Sequence, residues 1–396
     1  MSEESKGCKV SGYEFYRSIG SPKYILAPMV DQSELAFRLL CKNHGTQLTY
    51  TPMFHSRVWV DHKEYRNRHW QVVAGEGPMF VQFCGNEPET VLEATRLCME
   101  LPHARDIVAA FDLNLGCPQR IAQRGRYGSY LMEEQDVIRR IVETMHRESE
   151  VPITCKVRIF PDVQHTLKYA EMLRDAGCQL LTVHGRTREQ RGVKQGLADW
   201  DQIKMVREHI KDIPVIANGN IQTFEDVTKC MEYTGVDGIM SAVGLLENPA
   251  LFSNQDDYDR AELALEYLDL TDRPNHNPPN VSYTKSHIFK VMLKEWMCFP
   301  DLRDAVQYSG TKEEMRKIIK EADSRKKERP DDWRTFYLNN FKETCQQRRQ
   351  AKSSRKRKHN QQDTSDGNVE EQNTPTKIDK RDGSLVDGNV EQQTNE

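Results

Sequence analysis

The chain has 396 residues, enough for one large domain and a smaller one. Only 37% of it is apolar against 29% charged, too polar a balance for a chain folded throughout, so a disordered segment is expected, while a net charge of −4 excludes neither a nucleic-acid partner nor a neutral one. No run of 18 apolar residues predicts a membrane span, the opening MSEESKGCKV lacks the apolar stretch of a signal peptide, and ten cysteines without a CxxC pair speak against a zinc ribbon or an iron–sulfur cluster.

In chain order, residues 1–20 read as an N-terminal extension. From Tyr24 onward short β-like runs recur: YILAPMV (24–30), LTYTPM (48–53), PMFVQFCG (78–85), AAFDLNLGCP (109–118), ITCKVRI (153–159), LLTVHGR (180–186), PVIANGN (214–220) and GIMSA (238–242). Their interiors are apolar, as in parallel strands covered by helices. Between them lie amphipathic stretches: PETVLEATRLCMEL opened by Pro88, VIRRIVETMHRE, HTLKYAEMLRDAG and TFEDVTKCMEYTG, with Gly177 and Gly235 where C-caps fall. Eight β–α repeats over residues 21–254 predict an α/β fold, a (β/α)8 TIM barrel. The alternative, an open doubly wound sheet, is disfavoured by the count of eight and by the lack of GxGxxG after the first strand. Cys41, Cys84, Cys98, Cys155, Cys178 and Cys230 lie inside these segments, which predicts buried thiols in a reducing compartment and a cytoplasmic or nuclear protein.

Past Asn254 no strand-like run appears. HIFKVMLKEWM and TKEEMRKIIKEAD are helical by period, so residues 255–322 read as a small all-α domain containing the Pro/Asn-rich connector DLTDRPNHNPPN. Residues 323–396 read as a disordered polar tail. Residues 323–359 carry 13 Lys/Arg against 5 Asp/Glu, including the run Arg355 to Lys358, whereas residues 360–396 carry 9 acidic against 3 basic. DGNVEEQ (366–372) returns as DGNVEQ (387–392), a low-complexity echo.

In such a barrel the site lies at the C-terminal strand ends. Unusually polar residues gather there: Gln82 in the third run, Asn114 and Cys117 in the fourth, Lys156 and Arg158 in the fifth, His184, Arg186 and Arg188 after the sixth, and Asn218-Gly219-Asn220 after the seventh. A lysine inside an apolar strand is costly unless paired, so Lys156 is either half of a structural ion pair or a cation beside an electron-rich ring or an anion. His184 gains weight from the Gly-Arg-Thr-Arg that follows, because arginines after a strand end suit phosphate or carbonyl groups; a solvated loop reads the same way. Gly219 permits close approach to a phosphate held by backbone N–H groups, with a plain turn equally consistent. Cys117, between Gly116 and Pro118, is the sharpest candidate, since Pro118 keeps the stretch out of helix and the thiol faces the mouth; an inert buried thiol is the alternative. The next loop, AQRGRYGSYLM (122–132), reads as a lid with Gly125 and Gly128 as hinges.

The motifs APMV (27–30), VQFCGN (81–86), NLGCP (114–118), RGRYGSYLM (124–132), CKVRI (155–159), VHGRTREQ (183–190), ANGNI (217–221) and ENPALF (247–252) together resemble the tRNA-dihydrouridine synthase family, from about Lys23 through Phe252 and weakly beyond. One such motif is unspecific; eight in order, each at a strand end, are not. HSRVWV (55–60) and RGRYGSYLM are similar to the eukaryotic branch that modifies positions 16 and 17 of the tRNA D-loop. The resemblance implies FMN-dependent reduction of the C5=C6 bond of uridine to 5,6-dihydrouridine in tRNA, with NADPH or NADH reducing the flavin. It implies a monomer with no metal and no membrane partner. It also implies roles. Pro28, Met29 and Val30 line the flavin, Gln82 bonds the ring, Lys156 sits at its N1 edge and His184 lies beside it. Asn218, Gly219 and Asn220, with Ala242 and Val243, hold the phosphate. Asn114 and Arg186 contact the uracil, and Cys117 gives the proton. Many relatives have Gly-Arg where this chain has Ala242-Val243, so a phosphate contact there falls to backbone N–H groups.

That chemistry needs a proton at C5 from the face opposite the hydride, and a cysteine of ordinary pKa, about 8.5, is mostly protonated at pH 7. The target base is stacked in folded tRNA and must be pulled out. Arg120, Arg124, Arg126, Arg188, Lys285, Lys290 and Lys294 offer charge for the RNA. The basic tail segment adds phosphate attraction, serves as a nuclear localisation signal, or is simply solvated. Two other readings stand beside this one. An FMN barrel reducing a free pyrimidine needs no basic surface and no added helical domain. A non-catalytic RNA-binding barrel has no use for Cys117, Lys156 and His184 together.

Overall fold

The computed structural model describes residues 11–192, 195–254, 258–273 and 279–328. Residues 329–396, including the run Arg355 to Lys358 and the acidic end of the tail, lie outside the described residues, as do 274–278 of the connector. Among the described residues nine strands form one parallel sheet: β1 (Tyr24–Leu26), β2 (Thr49–Tyr50), β3 (Phe54–His55), β4 (Met79–Cys84), β5 (Val108–Leu115), β6 (Ile153–Arg158), β7 (Leu181–His184), β8 (Val215–Asn218) and β9 (Gly238–Ser241). Their order is β1-β9-β8-β7-β6-β5-β4-β2, with β3 beside the far half of β4. The ring closes between β2 and β1 through the bridge Ile25–Leu48, where the Leu26 N–H donates to the Leu48 carbonyl at 3.0 Å. This is the expected TIM barrel of eight strands, plus one short extra pairing.

Proline sets the departures from the expected strands. The first run ends at Leu26 because Pro28 has no N–H for the ladder. The second run breaks at Pro52 into β2 and β3 for the same reason.

Alternation along the strands sorts the core. Ile25, Ala27, Leu48, Tyr50, Phe80, Ala110, Leu180, Ile216 and Met240 fill the barrel's lower interior, while Leu26, Val81, Leu113, Cys155, Val183 and Ala217 face the helices. The bottom is plugged by the helix Gly12–Ser18. The Phe15 ring stacks 5.9 Å from Phe80, and the Tyr16 hydroxyl donates to the carbonyls of Pro22 (2.8 Å) and Asp237 (3.1 Å). Residues 12–18, expected as an extension, are therefore part of the barrel, because its apolar floor needs a cover against water.

Among the described residues five helices follow the barrel: Arg260–Thr271, Val281–Val291, Leu293–Cys298, Pro300–Tyr308 and Lys312–Lys327. The last passes the boundary expected at Ala322. A capping box between Thr311 and Glu314 starts it, and the pairs Glu321–Arg325 and Asp323–Lys327 carry it on. These helices dock on the barrel through Glu34, whose carboxylate accepts from the Tyr267 hydroxyl (2.7 Å) and meets His287 Nε2 (2.9 Å), with His287 stacked on Phe37 at 4.3 Å. Among the described residues, no helix is long and apolar enough to cross a membrane, and no cluster of three or more His, Cys, Asp or Glu is placed to hold a metal.

The plug is testable. Phe15→Ala removes a buried, stacked ring and is expected to lower stability by about 3 kcal/mol in urea denaturation. An unchanged midpoint and slope would remove the plug from the account.

Candidate active site

Register fixes which polar side chains meet. Gln82 pairs with Asp112 and Asp112 with Thr154 across β4, β5 and β6. Two residues further up, Asn114 pairs with Lys156 and Lys156 with Thr182. At the rim, Arg158 pairs with His184 and His184 with Asn218. The period of two puts Asp112 and Asn114, and likewise Thr154 and Lys156, on one face, so a polar upper half sits on the apolar floor.

Those side chains form a continuous chain of hydrogen bonds. The Asp112 carboxylate, 1% exposed, accepts from Gln82 Nε2 (2.8 Å) and from the Thr154 hydroxyl (2.6 Å). Gln82 Oε1 accepts from Asn114 Nδ2 at 2.8 Å. Asn114 Oδ1 in turn accepts from the backbone N–H groups of Gly116 (3.1 Å) and Cys117 (2.9 Å). A second chain runs from Lys156 Nζ to Asn218 Oδ1 (3.0 Å), and from Asn218 Nδ2 to the Met240 carbonyl (2.9 Å).

Burial sets the protonation states. It lifts the Asp112 carboxyl to about 6, against the hydrogen bonds from Gln82 and Thr154 and the charge of Lys156. It brings the Lys156 ammonium down to about 8, helped by Arg158, so at neutral pH the amine keeps its proton. It holds His184 well below the usual imidazole range, reinforced by Lys156, Arg158 and Arg186, so this ring is neutral. It pushes the half-buried Cys117 thiol up, against the Gln119 backbone N–H and the charges of Arg158 and Lys156. The cysteine therefore keeps its proton at neutral pH, and the histidine is a hydrogen-bonding partner.

The Cys117 loop is clamped from above as well. Arg158 Nε donates to the Gly116 carbonyl (2.7 Å), and its Nη1 donates to the carbonyls of Thr187 (2.8 Å) and Gln190 (3.2 Å). Ser129 donates to the Cys117 carbonyl through its N–H (3.1 Å) and its hydroxyl (2.9 Å). Gly128 is needed for contact: its φ is +64°, and a Cβ there would lie 2.8 Å from the Cys117 carbonyl oxygen. At Gly125 a Cβ would strike the Tyr127 ring at 2.6 Å. Gly128 thus packs directly on the Cys117 loop, and Gly125 on the Tyr127 ring.

Other expected site residues divide into rim and scaffold. Val30 after β1 and Val243 after β9 stand about half-exposed on neighbouring strand ends, with Pro28, Met29 and Ala242 beneath them. Gly219 has φ +114°, and a Cβ on it would lie 2.7 Å from Ala198 Cβ, so only glycine fits. Asn220 bonds both backbone groups of Ala198 (3.0 Å each). Arg186, 8% exposed, reaches Asn220 Oδ1 (2.8 Å), the Gly196 carbonyl (3.1 Å) and His184 Nε2 (3.1 Å). Sequence reasoning passed over Asp112 and Thr154. The available signal was polar residues two apart in a strand, matched by Gln82 and Lys156 on the neighbours. Beside the mouth, Gln123, Tyr130, Arg188, Glu189 and Arg191 line a cavity of about 330 Å³, with the Arg188 guanidinium 5.4 Å from the Tyr130 ring centre and Arg191 bonded to the Pro118 carbonyl.

Comparison with known proteins places this site in a family context. The model of the dihydrouridine synthase family matches residues 25–359. A tRNA-dihydrouridine(16/17) synthase-like protein of Rattus norvegicus is 48% identical over 299 residues, 75% of this chain and 66% of that one, so the match falls just short of two thirds of the relative's length. The tRNA-dihydrouridine(16/17) synthase of Schizosaccharomyces pombe is 42% identical over 314 residues, 76% of this chain and 77% of that one. A tRNA-dihydrouridine(20a/20b) synthase-like protein of Homo sapiens is 34% identical over 251 residues, 61% of this chain and 76% of that one.

The buried ammonium has a pH signature. A lysine whose folded pKa lies near 8, below its unfolded 10.5, costs stability below pH 8, and the cost fades as pH rises through that window. Lys156→Met is therefore expected to stabilise the protein most below about pH 8, with the gain over wild type shrinking toward pH 10 in parallel urea titrations. Wild-type and variant curves running parallel across that range would contradict the assignment.

Proposed function

The chain belongs to the dihydrouridine synthase family, and from that premise we propose that it reduces the C5=C6 bond of uridine to 5,6-dihydrouridine in the D-loop of tRNA, at positions 16 and 17, acting as a monomer with FMN and NADPH. The identity to the 16/17 relatives, 48% and 42%, against 34% to the 20a/20b relative, supports the choice of position. The observation that carries the reading is the protonated Cys117 thiol at the end of β5, within electrostatic reach of the Lys156 ammonium on β6, with the neutral His184 at the end of the next strand, β7.

The residues present suit FMN. Lys156 offers an ammonium with one described hydrogen bond, to Asn218, so further N–H groups remain for a carbonyl edge that gains negative charge. His184 offers a neutral ring nitrogen beside it. Gly219 is packed against Ala198 and His184 and lets the β8 end turn tightly, while Ala242 and Val243 after β9 leave backbone at the rim for a phosphate. Pro28, Met29 and Val30 supply the apolar wall, and Gln82, itself fully buried, backs the ring's site through its bonds to Asp112 and Asn114. When bound, FMN supplies the hydride that C6 accepts, having received it from NADPH.

The protein's part is to seat the base and manage one proton. Cys117 Sγ holds that proton over the position of C5, and the raised thiol pKa keeps it from ionising at neutral pH before the base arrives. Asn114 has one N–H left for the base after its bonds to Gln82 and the loop. Arg186 orders the wall around His184 and Asn220, and its contact to the uracil is made from that fixed position. The cavity of Tyr130, Arg188 and Arg191 suits phosphates next to an extracted nucleotide.

Cys117→Ala is expected to lower turnover on tRNA by at least about a hundredfold, the scale of losing a general acid, while flavin stays bound. In the same stopped-flow assay, flavin reduced by NADPH in the wild type is reoxidised by tRNA and not by free uracil. Rapid reoxidation by free uracil would favour a small-molecule reductase, and full activity of Cys117→Ala would move the proton donor elsewhere.

A further inference from the structure

The bonds around Cys117 have a direction, and it is held at both ends: by the N–H groups of Gly116 and Cys117, which can only donate, and by Asp112 at the buried end. We propose that Asp112 is a positioning residue whose acceptor-only carboxylate fixes the orientation of two amides, Gln82 and Asn114, and thereby presents an oxygen to the N–H groups that hold Cys117. This rests on the role proposed above for that thiol.

An amide can face a neighbour with its oxygen or with its NH2, and the two ends fill nearly the same space. Nothing in the shape of the pocket chooses between them; a neighbour that only accepts does. Ionised Asp112 has no hydrogen to give. Gln82 must therefore turn Nε2 toward it, at 2.8 Å, which leaves Oε1 for Asn114. Asn114 must then give Nδ2 to Gln82, which leaves Oδ1 for the backbone of Gly116 and Cys117. Reverse either amide and Asn114 would set its NH2 against two backbone N–H groups, donor against donor, where Asp112 and Gln82 are shut off from water.

Asp112 is kept ionised at neutral pH in spite of its burial by the Thr154 hydroxyl (2.6 Å), Gln82 and the charge of Lys156. The carbonyls of Gly116 and Cys117 are pinned separately by Arg158 and Ser129. The two N–H groups depend on Asn114, and so on the chain that begins at Asp112.

The test moves the carboxylate along the chain. In Asp112→Asn the residue can donate as well as accept, so the direction is imposed from the loop end alone and the buried end no longer holds it. In the double variant Asp112→Asn with Asn114→Asp, a carboxylate at position 114 accepts from Gly116 and Cys117 directly, and Gln82 reverses to serve it. The readout is the rate of alkylation of Cys117 by iodoacetamide in the full chain without tRNA, followed by mass spectrometry of the peptide containing Cys117. We expect Asp112→Asn to raise that rate about tenfold, the scale of one lost hydrogen bond, and to lower kcat on tRNA by a similar factor with KM for tRNA unmoved. The double variant is expected to return alkylation to within about twofold of wild type, which a general loosening of the core would not do. Wild-type alkylation in Asp112→Asn, or alkylation still fast in the double variant, would overturn the proposal. If the single variant does not fold, the double variant's rate against wild type decides alone. A wild-type protein whose flavin tRNA does not reoxidise would overturn the proposed function instead, and the alkylation comparison would still stand.

Discussion

A polar side chain inside a closed barrel has little water to turn to, so each must be answered by another group or by a ligand. This constraint organises the upper half of the molecule. Asp112, Gln82, Asn114 and the Cys117 loop answer one another along one chain of bonds, and Lys156, Asn218 and the Met240 carbonyl along another. The lower half escapes the constraint by being apolar and sealed by Phe15 and Tyr16. The site is a place where the barrel stops being filled by hydrocarbon and begins to be filled by hydrogen bonds.

The same burial divides the labour among three titratable groups. Desolvation disfavours charge, so it raises a thiol and lowers an amine and an imidazole. Near neutral pH that leaves Cys117 with its proton, Lys156 still charged and His184 neutral. Each is in the state that the proposed reduction needs: an acid for carbon, a cation for an electron-rich ring edge, and an uncharged neighbour that does not compete with the thiol. No separate device is required for each, because neighbouring register positions on β5, β6 and β7 share one environment.

Much of this was legible in the sequence, for physical reasons. Apolar runs of parallel strands and the amphipathic stretches between them are local signals, so eight strands and the mouth-facing Cys117, Lys156 and His184 were readable directly. Less local facts were not. The helix Gly12–Ser18 looks like an extension until the open barrel floor is seen to need Phe15. Pro28 and Pro52 shorten strands whose side chains alone suggest more. Asn220 and Arg186 read as ligand contacts, yet their first partners are Ala198, Gly196 and each other, because loops at a strand end need anchoring before they bind anything. Asp112 went unremarked since its meaning depends on Gln82 and Thr154 across two neighbouring strands. Gly128 read as a hinge because a glycine's sequence neighbours do not reveal that a backbone passes within contact distance.

The central claim is that this barrel mouth converts a specific uridine of a folded RNA. The most direct measurement incubates the purified full chain, loaded with FMN and supplied with NADPH, with an unmodified tRNA transcript and maps dihydrouridine at single-nucleotide resolution. The account predicts conversion confined to positions 16 and 17 of the D-loop. Intact uridine at both positions, with the flavin fully reduced and the tRNA bound, would contradict it.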